Sequence, residues 1–263
     1  MMAKIISLIS CKGGISKTTS TVNIGTVMAM HGKRVLMLDN DPQYGLTKYL
    51  QLQYDSTVTY PQLIKGVIER IPRAELQELI KSSIRTVNGF DIIPSDLTMC
   101  GLEMLISMAT RREYILSDIL SYIKDQYDFI LLDCLPSLGI FAVNALTASD
   151  SVLIPVETHI AAFEGFDQIL ETMSMIREYL NPGLKIEGVI IAKHQENTGL
   201  GKEIRKMIQD EYGQNMKVFD TPIPLTIKVA NAWARGTSVV ELYPKHPASI
   251  AYQKIAQEVE VNA

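Results

Sequence analysis

Near the start of the chain, Cys11-Lys12-Gly13-Gly14-Ile15-Ser16-Lys17-Thr18-Thr19 gathers the groups that can hold a polyphosphate. Backbone N–H groups of a glycine-containing turn and of the following helix can point at one anion. A lysine can reach the terminal phosphates, and a threonine hydroxyl can bind Mg²⁺. The ordinary phosphate-loop pattern, G-x-x-x-x-G-K-[ST], is not met, because Cys11 and Ser16 stand where its two glycines belong. Two carboxylate segments follow: Asp39-Asn40-Asp41-Pro42-Gln43, and Asp133 at the end of Asp128-Phe129-Ile130-Leu131-Leu132. Carboxylates at the C-terminal ends of parallel strands lie in the crevice where such sheets bind ligands. Taken singly, each segment has a plainer reading: a glycine turn with solvated lysines, a strand ending in an Asp-Pro turn, and a core strand closed by an Asp. Their order, each at the end of an apolar run, is what ties them to one site.

To meet, these residues must sit on a parallel sheet, and the pattern predicts one. Short β-branched runs alternate with longer amphipathic segments, as in a sheet covered by helices. Ile5–Ser10 reads as a strand, Cys11–Ser16 as a turn, Lys17–Met30 as a helix closed by His31-Gly32, and Arg34–Asp39 as a second strand. Further strands are expected at Gly89–Ile93, Phe129–Asp133, Ser151–Val156, Gly188–Ala192 and Lys217–Thr221. Helices are expected at Arg73–Ile84, Arg111–Asp125, Phe163–Leu180, Gly199–Tyr212 and Pro247–Val259. No repeat or Pro/Ser-rich linker breaks the rhythm, so one domain is expected over residues 1–263.

The first segment resembles the deviant Walker A loop of the ParA/MinD family, K-G-G-x-G-K-T-T, with one departure at Ser16. The chain is most similar to ParA-type partition ATPases. Asp39 to Gln43 looks like the family's D-x-D-P-Q, and Asp133-Cys134-Leu135-Pro136-Ser137-Leu138-Gly139 looks like its D-C-P-P-S-L-G, with Leu135 in place of the first Pro. Asp91-Ile92-Ile93-Pro94-Ser95, Ser149 to Val156, Glu164-Gly165 and Thr221-Pro222-Ile223-Pro224 extend the likeness over nearly the whole chain. The fold implied is α/β, a doubly wound, mostly parallel sheet flanked by helices, and the cofactors implied are ATP and Mg²⁺.

By the resemblance, Lys17 neutralises the β- and γ-phosphates, and Gly13, Gly14, Ile15 and Ser16 donate N–H groups. Thr18, followed by Thr19 in the same loop, ligates Mg²⁺ together with Asp39 and Asp133. Asp41 positions the attacking water, and Pro224 and Thr226 line the adenine pocket. Lys12, the signature lysine, reaches across a two-fold interface to the partner's nucleotide, so that ATP bridges a homodimer and hydrolysis releases it. Lys12, Lys17 and Asp41 are then the catalytic set. If the backbone at Ser16 needs a positive φ, serine there costs on the order of 1–2 kcal/mol that glycine avoids. Its hydroxymethyl group would also crowd the phosphates, so slow hydrolysis is expected.

Composition bounds the partners. The 263 residues carry 25 Lys+Arg against 29 Asp+Glu, a formal net charge of −4, and 47 % are hydrophobic. That is ordinary for a globular protein, and no apolar run approaches the roughly 18 residues of a membrane span. With no secretory signal and three cysteines, Cys11, Cys100 and Cys134, that form no CxxC pair, a cytoplasmic protein is expected. An acidic total leaves DNA binding to a local patch. Relatives bind DNA non-specifically, and a ParB-like partner stimulates their hydrolysis. Leu184 to His246 holds nine basic and seven acidic residues. Of three cations the resemblance expects there, Asn197 and Leu225 replace two and Lys228 keeps one. Lys202, Arg205 and Lys206 share helical spacing and, with Lys228 and Arg235, are the candidate DNA contacts. An alternative is a MinD-like or cargo-positioning ATPase acting on another surface. The membrane version lacks its basic amphipathic tail, since no cation follows Lys254. A third branch of the same fold, with cysteines at an iron–sulfur cluster, would need Cys100 and Cys134. Trp233 and the Met-rich segment around Met104 read as packing.

Overall fold

The computed structural model describes residues 2–53, 58–157, 162–195 and 199–262. Asn197, one of the positions at which an arginine is expected, lies outside them. Among the described residues seven strands form one sheet: β1 (Lys4–Leu8), β2 (Val35–Asn40), β3 (Arg85–Val87), β4 (Phe90–Ile93), β5 (Phe129–Cys134), β6 (Ser151–Glu157) and β7 (Lys185–Ala192). Their order is β3-β4-β2-β5-β1-β6-β7, and every pairing is parallel except β3 with β4. The helices are α1 (Lys17–Met30), α2 (Gly45–Tyr49), α3 (Tyr60–Ile68), α4 (Arg73–Ser83), α5 (Leu102–Met108), α6 (Ile115–Leu120), α7 (Ile140–Ala148), α8 (Ala162–Tyr179), α9 (Gly199–Tyr212), α10 (Ile227–Trp233), α11 (Val239–Leu242) and α12 (Pro247–Val261). The expected doubly wound α/β architecture is the one observed. Among the described residues no helix is long and apolar enough to cross a membrane.

Strands buried on both faces must be apolar at every position, which is why they read as continuous runs rather than alternating ones. Along β2, Val35 and Met37 join a core with Val27 and Tyr252, whereas Leu36 and Leu38 join a second core with Leu63 and Ile119. Helix α1 lies between the sheet and α11–α12, so its residues from Thr19 to Met28 are all buried. Its approach is close: a Cβ on Gly25 would stand 3.1 Å from Leu131 and 2.3 Å from the end of Met37.

Two expected elements differ. Lys217–Thr221 is no strand. It meets β7 through one isolated bridge, Val189 to Val218, and the chain just beyond it makes a second, His194 to Pro224. Pro222 and Pro224 lack the N–H groups a ladder needs. Phe219 also packs onto the backbone of Gly188, where a Cβ would stand 2.5 Å from its ring. The long helix expected over Arg111–Asp125 shrinks to α6; at its start Arg111 takes a left-handed φ of 57° that a helix cannot contain, so no helix begins there.

Candidate functional site

In the sheet, β5 lies between β2 and β1, so the three motif-bearing strands are neighbours. Asp39 pairs in register with Asp133, and Leu8 of β1 pairs with Asp133 from the other side. Both carboxylates and the loop after β1 therefore meet at the C-terminal edge of the sheet.

The loop's conformation follows from its residues. Gly14 has φ +78°, with open space where a Cβ would project. Ser16, immediately before α1, has φ 61° and ψ 20°, which meets the condition under which serine there carries strain, and its side chain makes no capping hydrogen bond. The first N–H groups of α1 therefore receive no cap from that side chain and are available to an anion. Gly165 supports the loop from behind: a Cβ there would stand 2.8 Å from that of Cys11.

Lys17, only 7 % exposed, donates from Nζ to Ser10 Oγ at 2.8 Å and approaches the Lys12 carbonyl oxygen at 3.4 Å. Burial pushes its pKa down, opposed chiefly by the Asp133 charge. Thr18 Oγ1 donates to Asp133 Oδ2 at 2.7 Å, and Thr21 Oγ1 lies 3.4 Å from Asp133 Oδ1. Asp39 is fully buried and accepts from the Thr47 N–H at 2.8 Å and the Thr47 hydroxyl at 2.7 Å. Burial pushes the Asp39 carboxyl up to about 7, although the Thr47 hydrogen bonds pull it down. Burial and the neighbouring Asp39 likewise raise Asp133, with Thr18 and Lys17 opposing. Asp133 thus stands between the second buried carboxylate, Asp39, and the buried lysine, and its charge is felt by both. Carboxylate and hydroxyl oxygens are the donors a hard divalent cation such as Mg²⁺ prefers, so Thr18, Asp39 and Asp133 fit that ion. Asp41 accepts from the Gln43 N–H at 2.8 Å and stands nearer the solvent.

A cleft of about 520 Å³ opens over this edge. Gly13, Gly14, Ile15, Ser16, Lys17, Thr18, Thr19 and Asp41 line one side, and Pro224, Thr226 and Trp233 line the other. Pro224 and Thr226 are thus brought to the site, although the Thr226 hydroxyl also caps α10 by accepting from the Lys228 N–H at 3.2 Å. Lys12 is not on the cleft wall; it lines a small cavity with Cys11, Ile154 and Gly165. Cys134 is buried and Cys100 is exposed.

The candidate DNA contacts lie on α9 and around α10. Lys202 and Lys206 are exposed, and Arg205 donates to the Asp220 carbonyl oxygen at 2.6 Å. Lys228 stands 4.6 Å over the Tyr243 ring, and Arg235 is exposed.

Sequence reasoning missed three residues here. Thr47, which holds Asp39, sits on a five-residue helix without a periodic signal. Lys193 lines the cleft and pairs with Glu157 at 2.7 Å. Trp233, expected only to pack in the core or at an interface, lines the cleft and is 42 % exposed.

An anion cradle at the start of a buried helix, with acidic residues closing the two strands beside it, defines a P-loop nucleotide-binding protein of the deviant Walker A kind. Residues 3–186 match the AAA domain family. Sporulation initiation inhibitor protein Soj of Bacillus subtilis is 36 % identical over 99 % of this chain and 100 % of its own length. Chromosome partitioning protein ParA of Caulobacter vibrioides is 33 % identical over 97 % of this chain and 93 % of its own. Cobyrinic acid a,c-diamide synthase from Mycobacterium smegmatis, solved with bound ADP and magnesium, matches with a TM-score of 0.81 at 28 % identity, covering 97 % of this chain and 93 % of that one. The chain belongs to the ParA-type partition ATPases.

Proposed function

We propose that the protein is an ATP- and Mg²⁺-dependent partition ATPase. On this reading it dimerises on ATP, binds DNA non-specifically, segregates or positions a cargo, and is reset when a ParB-like partner stimulates hydrolysis. The observation that carries this reading is the convergence of Lys17, Thr18, Asp39 and Asp133 at one sheet edge beneath a cleft sized for a nucleotide.

On this reading each residue of the site has a role that its position supports. Lys17 and the N–H groups from Gly13 to Ser16 oppose the charge of the terminal phosphates in a place where burial strengthens every interaction. Mg²⁺, when bound, would neutralise phosphate charge. Asp133 and Thr18 share a hydrogen bond, which supports their holding the ion together, and Asp41, outside the buried pair, is the residue that orients a water on this reading. Lys12, which lies off the wall of its own cleft, is the residue that reaches a partner's nucleotide on this reading.

Light scattering with and without ATP tests the switch. Lys12→Ala is expected to abolish ATP-dependent dimerisation while the nucleotide-free state is unaltered, and an unchanged dimer would remove the cross-site role. The thin basic content near α9 and α10 supports a second reading, in which the switch acts on a surface other than DNA. Filter retention of DNA with ATP at low and high salt separates the two: absence of salt-sensitive retention sinks the DNA reading.

A further inference from the structure

Opposite the phosphate loop the cleft wall is apolar, built by Ile223, Leu225, Val229 and Trp233. Trp233 is the chain's single tryptophan and ends α10. The cleft's other aromatic lining residue, Tyr252, is fully buried, so the tryptophan is the ring the wall offers to a ligand. It does not lie loose. The Tyr49 ring, itself fully buried, backs it at 4.9 Å between centroids with a tilt of 38°. The turn that carries it is fixed by Gly236 N–H donating to the Trp233 carbonyl oxygen at 2.9 Å and by Gln51 Nε2 donating to that of Ala234 at 3.0 Å.

The geometry points to Trp233 as the platform on which the nucleobase stacks while the loop from Gly13 to Thr19 holds the phosphates. This rests on the nucleotide reading above. A ring supported on one side and open on the other loses little freedom when a flat ligand covers it, and every base has a π-face to place there. Tyr49, the support, sits two residues beyond Thr47, so α2 carries both the prop of the base platform and the hydrogen bonds of Asp39. Trp233 touches the base rather than the reacting atoms, so it acts on affinity and not on the chemical step.

Calorimetric titration of wild type, Trp233→Phe and Trp233→Ala with Mg²⁺ and either ATP or tripolyphosphate tests the platform. Trp233→Ala is expected to weaken ATP about tenfold, the scale of one lost base stack, with Trp233→Phe regaining most of it. Tripolyphosphate affinity should be equal in all three, because it has no base. The emission of the lone tryptophan should change on adding ATP to wild type and stay constant with tripolyphosphate. Equal ATP affinity in wild type and Trp233→Ala overturns the proposal, as does a matching loss of tripolyphosphate, which reports damage to the phosphate loop. A wild type that binds neither ligand overturns the nucleotide reading itself, and the platform with it.

Discussion

The phosphate end of the cleft and the cationic face of α9 carry charge in opposite ways. At the first, Lys17, Asp39 and Asp133 are buried, hydrogen-bonded and set in register by neighbouring strands. At the second, Lys202 and Lys206 stand exposed on one helix, and Arg205 leans on a backbone carbonyl. Buried charges in a connected network act together, so one change disturbs all of them. Exposed charges add nearly independently and are screened by salt. The first region can specify chemistry with three side chains, whereas the second can only supply attraction in proportion to its cations.

That contrast breaks first at Lys17. Lys17→Ala is expected to lower phosphate release from ATP by on the order of 100- to 1000-fold, because it removes one preorganised donor and leaves two carboxylates facing the phosphates. A loss below tenfold would show that the buried network is not the engine. The next effect is on stability. In the nucleotide-free protein Asp39 has a carboxyl pushed up to about 7 from 3.8, so the folded state keeps a proton the unfolded chain releases. Its stabilising contribution is full below about pH 4 and is lost as pH rises through about 7. Thermal unfolding without nucleotide or Mg²⁺ should therefore weaken from pH 5 to pH 8, and Asp39→Asn should flatten the trend.

A smaller effect is expected at Ser16. Ser16→Gly should raise stability by about 1 kcal/mol in denaturant unfolding, since it relieves the left-handed serine but frees the unfolded chain. Turnover should rise with it, and equal rates in the two proteins would refute crowding of the phosphates. The smallest effect belongs to α9. The double change Lys202→Ala and Lys206→Ala should flatten the log–log salt dependence of DNA retention by about two units while leaving ATP hydrolysis alone.

Much of the site was legible because its residues are local in sequence and sit at strand ends, where an apolar run followed by Asp is visible without any structure. Helix α1 begins at Lys17 and ends at Met30 as its pattern predicts, and the positive φ of Ser16 could be inferred from a missing glycine. What escaped depends on distance. Thr47 reaches Asp39 only because α2 folds back after Pro42, and five residues hold no period. Trp233 meets Tyr49 across 184 positions, a pairing that hydropathy cannot express. Helix α3 could have been found: Thr59 and Gln62 form a capping box just before and inside it, with Pro61 in its first turn. The Lys217–Thr221 segment shows the reverse failure, in which β-branched and aromatic composition outweighed the prolines that follow.

Asn23 deserves a last consequence. From the middle of α1 its amide nitrogen donates to the Thr19 carbonyl oxygen at 2.7 Å, while its oxygen accepts from the Val239 N–H at 2.8 Å and approaches that of Val240 at 3.3 Å. Those two N–H groups open α11, a four-residue helix that would fray rapidly in isolation. Seated on α1, they share the fate of the protein's most enclosed helix. Their protons should exchange with solvent at rates set by the cooperative opening of α1 and the sheet it covers, which makes a peripheral turn a clock for the deepest unfolding event.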